Sequence, residues 1–160
     1  MLMTLRGVPQ MYYGDEILMK NFSNPDGLVR EDFPGGWADD KVNKFKAEGR
    51  SEKENDAFNY VRTLANYRKN TTALQTGKLM QYVPEEGVYL YFRYDDVKTV
   101  MVVYNSRDKE QTISTSRYVE RLDGALKARN VITDQVMDIS KLTIPAKATL
   151  VLELIPNNTH

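Results

Sequence analysis

The stretch that most strongly decides the fold reads Arg6-Gly7-Val8-Pro9-Gln10-Met11-Tyr12-Tyr13-Gly14-Asp15-Glu16. Its centre is short, mostly apolar and rich in residues that favour strands, and glycine or proline bounds it on both sides. A brief apolar run between such breakers predicts a buried strand over residues 7–14 that opens onto a loop. Pro9 has no backbone N–H to donate to a sheet, so we expect it at the start of that strand.

A second stretch, rich in turn-forming residues, follows and reads Asn24-Pro25-Asp26-Gly27-Leu28-Val29-Arg30-Glu31-Asp32-Phe33-Pro34-Gly35-Gly36-Trp37. Together the two stretches resemble the end of the catalytic barrel in the α-amylase superfamily of retaining glycoside hydrolases. Residues 7–16 are similar to the string that marks the eighth strand of that (β/α)8 barrel. The ending of the second stretch, residues 30–37, is most similar to the cyclomaltodextrinase and neopullulanase branch.

The chain is too short to hold a whole barrel of this kind. A (β/α)8 barrel takes roughly 250 residues, whereas this chain has 160. The resemblance therefore implies the C-terminal fragment of a longer enzyme, with an α+β fold. We expect residues 1–75 to be the terminal strand-loop-helix segment of the barrel, and residues 76–156 to form an all-β C-terminal β-sandwich domain.

The barrel segment should contain a long loop and one helix. Gly, Pro, Asn and Asp are frequent in residues 17–50, and the apolar residues there show no sustained helix or strand periodicity. This composition predicts a long irregular connection. Loops after barrel strands build the active face, but a disordered tail is an open alternative. A helix is predicted over residues 52–69, because Ser51 and Glu54 fit a capping box and apolar residues then recur at three- and four-residue steps.

From residue 77 onward the pattern changes to short strands separated by turns. Tyr118, Leu122 and Leu126 share a helical face and predict a short helix over residues 116–126. Strands at such regular intervals predict a β-sandwich. The predicted strands span residues 78–83, 88–94, 99–104, 111–114, 130–133, 135–139, 142–144 and 148–155.

Composition excludes several classes of function. The 22 basic and 22 acidic residues balance, so no net charge favours a nucleic-acid partner. No apolar run reaches the roughly 20 residues of a membrane span. The absence of cysteine excludes thiol catalysis and cysteine metal sites but leaves the compartment open. The single histidine, His160, is terminal, which argues against a Ser-His site or a histidine metal site.

The carboxylates of the chain do not predict a catalytic pair. A retaining glycosidase needs a nucleophilic carboxylate and a carboxylic acid roughly 5–5.5 Å apart. The pairs Asp15-Glu16, Glu31-Asp32 and Asp39-Asp40 are sequence neighbours and are better explained as solvated loop charges. The resemblance implies that the catalytic acids lie on the fourth, fifth and seventh barrel strands, upstream of Met1. We therefore expect no catalytic residue, no metal site and no cofactor here.

The resemblance implies a substrate-binding role for Asp26 and Arg30, which match a pair that contacts a donor-side glucose in many members of the family. A carboxylate accepts hydrogen bonds from adjacent sugar hydroxyls and a guanidinium donates in a planar fork. A plain salt bridge within the loop is the alternative. Trp37 could stack on a sugar or anchor the loop, and the sequence favours the anchor.

Two hypotheses for function remain open. In the first, the parent enzyme hydrolyses α-glucosidic bonds in α-glucans or cyclomaltodextrins, and the fragment itself is inactive. In the second, the chain is a non-catalytic β-sandwich module that binds carbohydrate or stabilises a larger protein. A barrel strand without its neighbours exposes unpaired backbone groups and apolar surface. We therefore also expect residues 1–50 to pack abnormally or to pair with another copy of the chain.

Overall fold

A computed structural model describes residues 1–157. The chain divides into two compact units, one comprising residues 10–63 and the other comprising residues 1–9 together with the chain from Leu64 onward. The predicted domain boundary after residue 75 stays a prediction. His160, on which the argument about histidine sites rested, lies outside the described residues.

The unit formed by residues 10–63 consists mainly of turns and irregular backbone before its helix. Its short 3-10 turns are Asp15–Ile17, Leu28–Arg30 and Ala47–Gly49. The strand predicted over residues 7–14 is absent, so this prediction is wrong for the described structure. A barrel strand takes its backbone hydrogen bonds from parallel neighbours, and no parallel strand occurs within residues 1–157. A local apolar pattern alone does not supply those partners.

The helix α1 spans Glu52–Lys69, the range that the sequence predicts. Its start has the reciprocal geometry of a capping box. The Ser51 amide donates to Glu54 Oε2 at 2.8 Å, and the Glu54 amide donates to Ser51 Oγ at 3.4 Å. These bonds satisfy two backbone donors that the first turn of a helix leaves without partners. A four-residue helix, α2 (Thr72–Gln75), follows.

The rest of the chain is mostly antiparallel sheet with few helices. Six strands form one sheet in the order β1-β2-β3-β8-β5-β6, and β4 pairs with β7 in a second sheet. The strands are β1 (Lys78–Gln81), β2 (Val88–Tyr94), β3 (Thr99–Asn105), β4 (Gln111–Ser114), β5 (Lys127–Asn130), β6 (Val136–Asp138), β7 (Lys141–Ile144) and β8 (Thr149–Ile155).

The helix predicted over residues 116–126 is much shorter in the structure. A 3-10 turn at Thr115–Tyr118 leads into α3, which spans only Val119–Leu122. Asp123 follows with a left-handed backbone at φ 50° and ends the helix. The hairpin predicted at residues 130–139 is also displaced, since β5 begins at Lys127.

Both faces of the central strands are buried, in two separate clusters. On one face, Leu90, Phe92 and Leu152 pack with Leu142 of the second sheet, so the two sheets share a core. On the other face, Tyr91 of β2 packs in a second cluster. The alternation along β2 therefore sends successive side chains into different cores. Other members of this second cluster are Leu64, Leu74, Val100, Val102, Val131 and Val151.

No helix within residues 1–157 combines the length and apolar character that a bilayer crossing requires.

Candidate functional site

The structure brings the two predicted substrate-binding residues together. The 3-10 turn at Leu28–Arg30 lets Arg30 reach back to Asp26, and Gly27 before the turn has φ 110°, a conformation that favours glycine. Arg30 Nη2 donates to both Asp26 Oδ1 and Asp26 Oδ2 at 3.0 Å. Both side chains are exposed, at 62% and 73%. The pair is thus an accessible salt bridge, and its binding role stays a prediction.

An exposed ion pair of this kind should contribute little to folding. We expect Asp26→Asn to change the free energy of unfolding by less than about 0.5 kcal/mol, because solvent screens both charges. Urea unfolding followed by circular dichroism measures the change, with Asp39→Asn as the control. A loss well above that of the control would show that the pair organises the loop, which would weaken the case for a binding role.

A cleft of about 480 Å³, lined by both polar and apolar side chains, lies in the same unit. Leu28 and Val29 line it, whereas the side chains of Asp26 and Arg30 are not part of its described lining. The remaining lining residues are Tyr12, Tyr13, Asp15, Leu18, Met19, Lys20, Asn21, Glu31, Pro34, Lys44 and Glu54.

Glu31 is held firmly at this cleft. Tyr13 Oη donates to the Glu31 carbonyl at 3.0 Å, and Asn21 Nδ2 donates to Glu31 Oε1 at 2.9 Å. These residues offer hydroxyl, amide and carboxylate groups suited to sugar hydroxyls. Sequence reasoning missed Tyr13 and Asn21 and treated Glu31 as a solvated charge, since the contacts join residues far apart along the loop.

Two carboxylates of this unit, Glu54 and Asp40, are stabilised in their charged form, because hydrogen bonds lower the pKa of each. The Lys44 ammonium donates to Glu54 and, with the Ser51 amide, lowers the pKa of the Glu54 carboxyl. Backbone amides of Trp37 and Gly35 likewise lower the pKa of Asp40. These carboxylates are suited to accepting hydrogen bonds rather than to delivering a proton.

Trp37 is exposed within the described residues. Its side chain is 64% exposed, and its indole Nε1 donates to Asp32 Oδ2 at 3.0 Å. The anchoring role under a barrel rim that the sequence favours stays a prediction. Phe33 and Phe45 instead form an aromatic contact within the loop, with ring centroids 4.4 Å apart.

The sheet region matches a known domain family. Residues 79–153 match the family described as the cyclo-malto-dextrinase C-terminal domain. The resemblance to the α-amylase superfamily is confirmed. The domain match covers strands β2 to β7 in full, together with most of β1 and β8.

Relatives within the superfamily align with nearly the whole chain. Alpha-amylase 3 of Dictyoglomus thermophilum is 27% identical over 169 aligned positions, which cover 95% of this chain and 32% of that enzyme. A cyclomaltodextrin glucanotransferase of Niallia circulans is 31% identical over 158 positions, 93% of this chain and 19% of the relative. The chain thus spans about a third or less of the length of these superfamily members.

Solved structures of the superfamily share the fold. An Anoxybacillus alpha-amylase superposes with a TM-score of 0.72 at 19% identity, covering 99% of this chain and 31% of that enzyme. An alpha-amylase from Geobacillus thermoleovorans, solved in complex with acarbose, gives a TM-score of 0.69 at 20% identity over 98% of this chain and 32% of that enzyme. At such identities the similarity establishes the fold alone.

Proposed function

We propose that this chain is the C-terminal part of a retaining glycoside hydrolase that cleaves α-glucosidic bonds in α-glucans or cyclomaltodextrins. The observation that carries the proposal is the alignment with the Dictyoglomus alpha-amylase, which covers 95% of this chain but 32% of the enzyme. In this proposal, residues 1–75 belong to the catalytic barrel and residues 76–156 form the C-terminal domain.

Exposed apolar side chains in residues 10–63 support a place within a larger domain. Phe22 is 78% exposed, Phe45 is 62% exposed and Tyr12 is 55% exposed. Where exposed apolar side chains form a patch, the patch usually marks a contact with another part of a protein or with a partner. The rest of a barrel would cover these side chains, so their exposure fits a segment taken from such a fold.

The electrostatics of the chain support a non-catalytic role for it alone. The acid of a retaining glycosidase works with a raised pKa. Where a described carboxyl group of this chain has a shifted pKa, the shift is downward, as at Asp40, Glu54, Asp95, Asp138 and Glu153. Asp26 and Arg30 would contribute sugar contacts to the complete site, and the chemistry would come from carboxylates on other strands.

A turnover assay tests the proposal directly. We expect the 160-residue chain to release no reducing sugar from maltoheptaose or β-cyclodextrin above the buffer blank, since the proposal assigns the paired carboxylates of the reaction to strands outside this chain. A complete alpha-amylase assayed in parallel confirms that the substrate and detection work. Sustained turnover by the purified chain would contradict the proposal.

We also propose that the exposed apolar side chains of residues 10–63 promote self-association. Sedimentation velocity over a dilution series should show a concentration-dependent oligomer, because association removes apolar surface from water. The paired change of Phe22 and Phe45 to serine should shift the chain toward monomer, while Val97→Ser, an exposed change in the sheet unit, should not. A monomer at every concentration would contradict this part of the proposal.

The module hypothesis has less support in the form of a carbohydrate-binding face made by the tyrosines of β2. Tyr91 is fully buried, and its hydroxyl lies 2.6 Å from Thr4 Oγ1. Tyr89 donates from its hydroxyl to Gln81 Oε1 at 2.6 Å. The two tyrosines are thus engaged in packing and hydrogen bonds within the protein. Their contacts favour a stabilising role for residues 76–156 over direct glucan binding by this strand.

A further inference from the structure

Arg68, in the last turn of α1, is directed at the N-terminal segment of its own unit. Its Nη1 donates to the carbonyls of Met3 at 3.1 Å and Leu5 at 3.2 Å, and its Nη2 donates to the Gly7 carbonyl at 2.6 Å. The residue is only 9% exposed. One guanidinium thus holds three carbonyls of a single short peptide.

Arg93, on β2, contacts the same segment from the sheet. Its Nη1 donates to the Thr4 carbonyl at 3.1 Å, and its Nη2 donates to the Gly77 carbonyl at 3.2 Å. The residue is 1% exposed and its Nε has no hydrogen-bond partner. Burial, and then the positive charge of Arg68, lower the pKa of the Arg93 guanidinium.

Burial of these two guanidiniums is energetically less favourable than burial of apolar side chains of similar size. Within residues 1–157, neither of them forms an ion pair with a carboxylate. Desolvating a cation without a counter-charge is unfavourable, and an apolar side chain of similar size commonly stabilises a protein more. The planar fork of arginine, however, holds several acceptors in a fixed geometry. The arrangement therefore favours positional precision over stability.

The hydrogen bonds of Arg68 also join the two ends of a long excursion of the chain, residues 10–63. It lies 61 to 65 residues from the carbonyls that it binds. Along the sequence, residues 10–63 lie between Arg68 and the carbonyls that it binds. These residues carry Asp26, Arg30 and the cleft. A bond that ties the two ends of such a segment restricts the conformations open to all of it.

We propose that Arg68 and Arg93 form a clamp that positions the peptide at residues 3–7 and thereby fixes both ends of the excursion that carries the candidate site. They are positioning residues and contact no substrate. The inference that the clamp serves a substrate-binding site rests on the proposed function. The inference that it orders residues 3–7 does not.

Amide exchange at the clamped peptide tests the proposal. The Thr4 and Leu5 amides donate to the Met1 carbonyl at 2.9 and 3.1 Å, so they report on the order of this segment. In Arg68→Met we expect both amides to exchange at least about tenfold faster, the scale of one lost charge-assisted hydrogen bond. The Val102 amide in β3 should keep its wild-type rate. Unchanged exchange at Thr4 and Leu5, or equal acceleration at Val102, would overturn the proposal.

Two further variants separate the clamp from general effects of charge. Arg68→Lys keeps the charge but not the fork, so it should restore little protection; full rescue by lysine would overturn the geometric role. Arg117→Met is the control, since Arg117 also pairs with Glu85 and donates to the Val83 carbonyl at 3.4 Å, in another part of the same unit. Acceleration at Thr4 in this control would count equally against the clamp.

Arg93→Met should likewise accelerate exchange at Thr4, and if that variant fails to fold, the two Arg68 variants decide alone. None of these measurements involves a glucan. Turnover by the chain would therefore overturn the proposed function and leave the clamp standing, and unchanged exchange would do the reverse.

Discussion

Replacement of Phe92 by alanine is expected to lower the free energy of unfolding by about 3–5 kcal/mol, the range for removing a fully buried aromatic side chain. Phe92 is wholly inaccessible and lies in the cluster that joins the two sheets. Its ring also meets Tyr82 edge to face, with centroids 6.1 Å apart. The cavity would open at the largest fully buried aromatic side chain of the shared core, so both sheets should lose packing.

Urea unfolding followed by far-ultraviolet circular dichroism measures this loss. Val97→Ala is the control, since Val97 is 78% exposed in the turn between β2 and β3. It should change the free energy of unfolding by no more than about 0.5 kcal/mol. Equal effects in the two variants would show that the core does not lie where the structure places it.

Glu153→Gln should have the second largest effect. Glu153, on β8, accepts hydrogen bonds from Tyr67 Oη at 2.7 Å, Lys98 Nζ at 3.0 Å and Arg129 Nη2 at 2.9 Å. It therefore joins the end of α1 to β8, to β5 and to the turn that precedes β3. Losing the charge should lower the free energy of unfolding near neutral pH by roughly 1.5–3 kcal/mol, the range for hydrogen bonds to a charged group.

The decrease in the free energy of unfolding caused by Glu153→Gln should become smaller at acidic pH. Burial alone would raise the pKa of Glu153, but the hydrogen bonds from Tyr67, Lys98 and Arg129 outweigh it and hold the pKa below the ordinary 4.5. A carboxyl group with a lowered folded pKa stabilises fully above its unfolded pKa and loses that contribution as pH falls through the folded pKa. The difference between wild type and Glu153→Gln should therefore shrink below about pH 4.5.

Thermal unfolding across an acidic pH series measures that difference. Glu52→Gln is the matched control, since Glu52 lies exposed in the first turn of α1. A difference between wild type and Glu153→Gln that is independent of pH would mean that the carboxylate does not carry the interaction.

Local signals in the sequence predict those elements whose stabilising contacts are themselves local. The bounds of α1 follow from Ser51 and Glu54, which cap it across three residues. The alternation in β2 and the tight turn after it likewise predict its hairpin with β3. The helix at residues 116–126 fails because the left-handed backbone of Asp123 overrides a helical pattern of Tyr118, Leu122 and Leu126.

The strand at residues 7–14 fails for a different reason. Its pattern describes burial between parallel neighbours, and a strand exists only where such neighbours provide hydrogen bonds. Within the described residues, the same sequence instead forms turns, such as the one in which the Asp15 amide donates to the Tyr12 carbonyl.

The candidate site was predictable only in part. The family resemblance singles out Asp26 and Arg30, with a salt bridge between them as the stated alternative, and the structure contains that salt bridge. The cleft depends on contacts such as that of Tyr13 with Glu31, 18 residues apart, which the order of residues does not reveal. A position in the last turn of a helix suggests only a preference for positive charge at Arg68. The structure shows its guanidinium donating hydrogen bonds to three distant carbonyls.

The most direct test of the central claim is the coding sequence upstream of the Met1 codon in the source genome. We expect an open reading frame that continues upstream through seven further strand-helix units. Those units should carry catalytic carboxylates on the fourth, fifth and seventh strands. An in-frame stop codon shortly before Met1, or upstream sequence without barrel strands, would contradict the assignment of this chain to the end of a glycoside hydrolase.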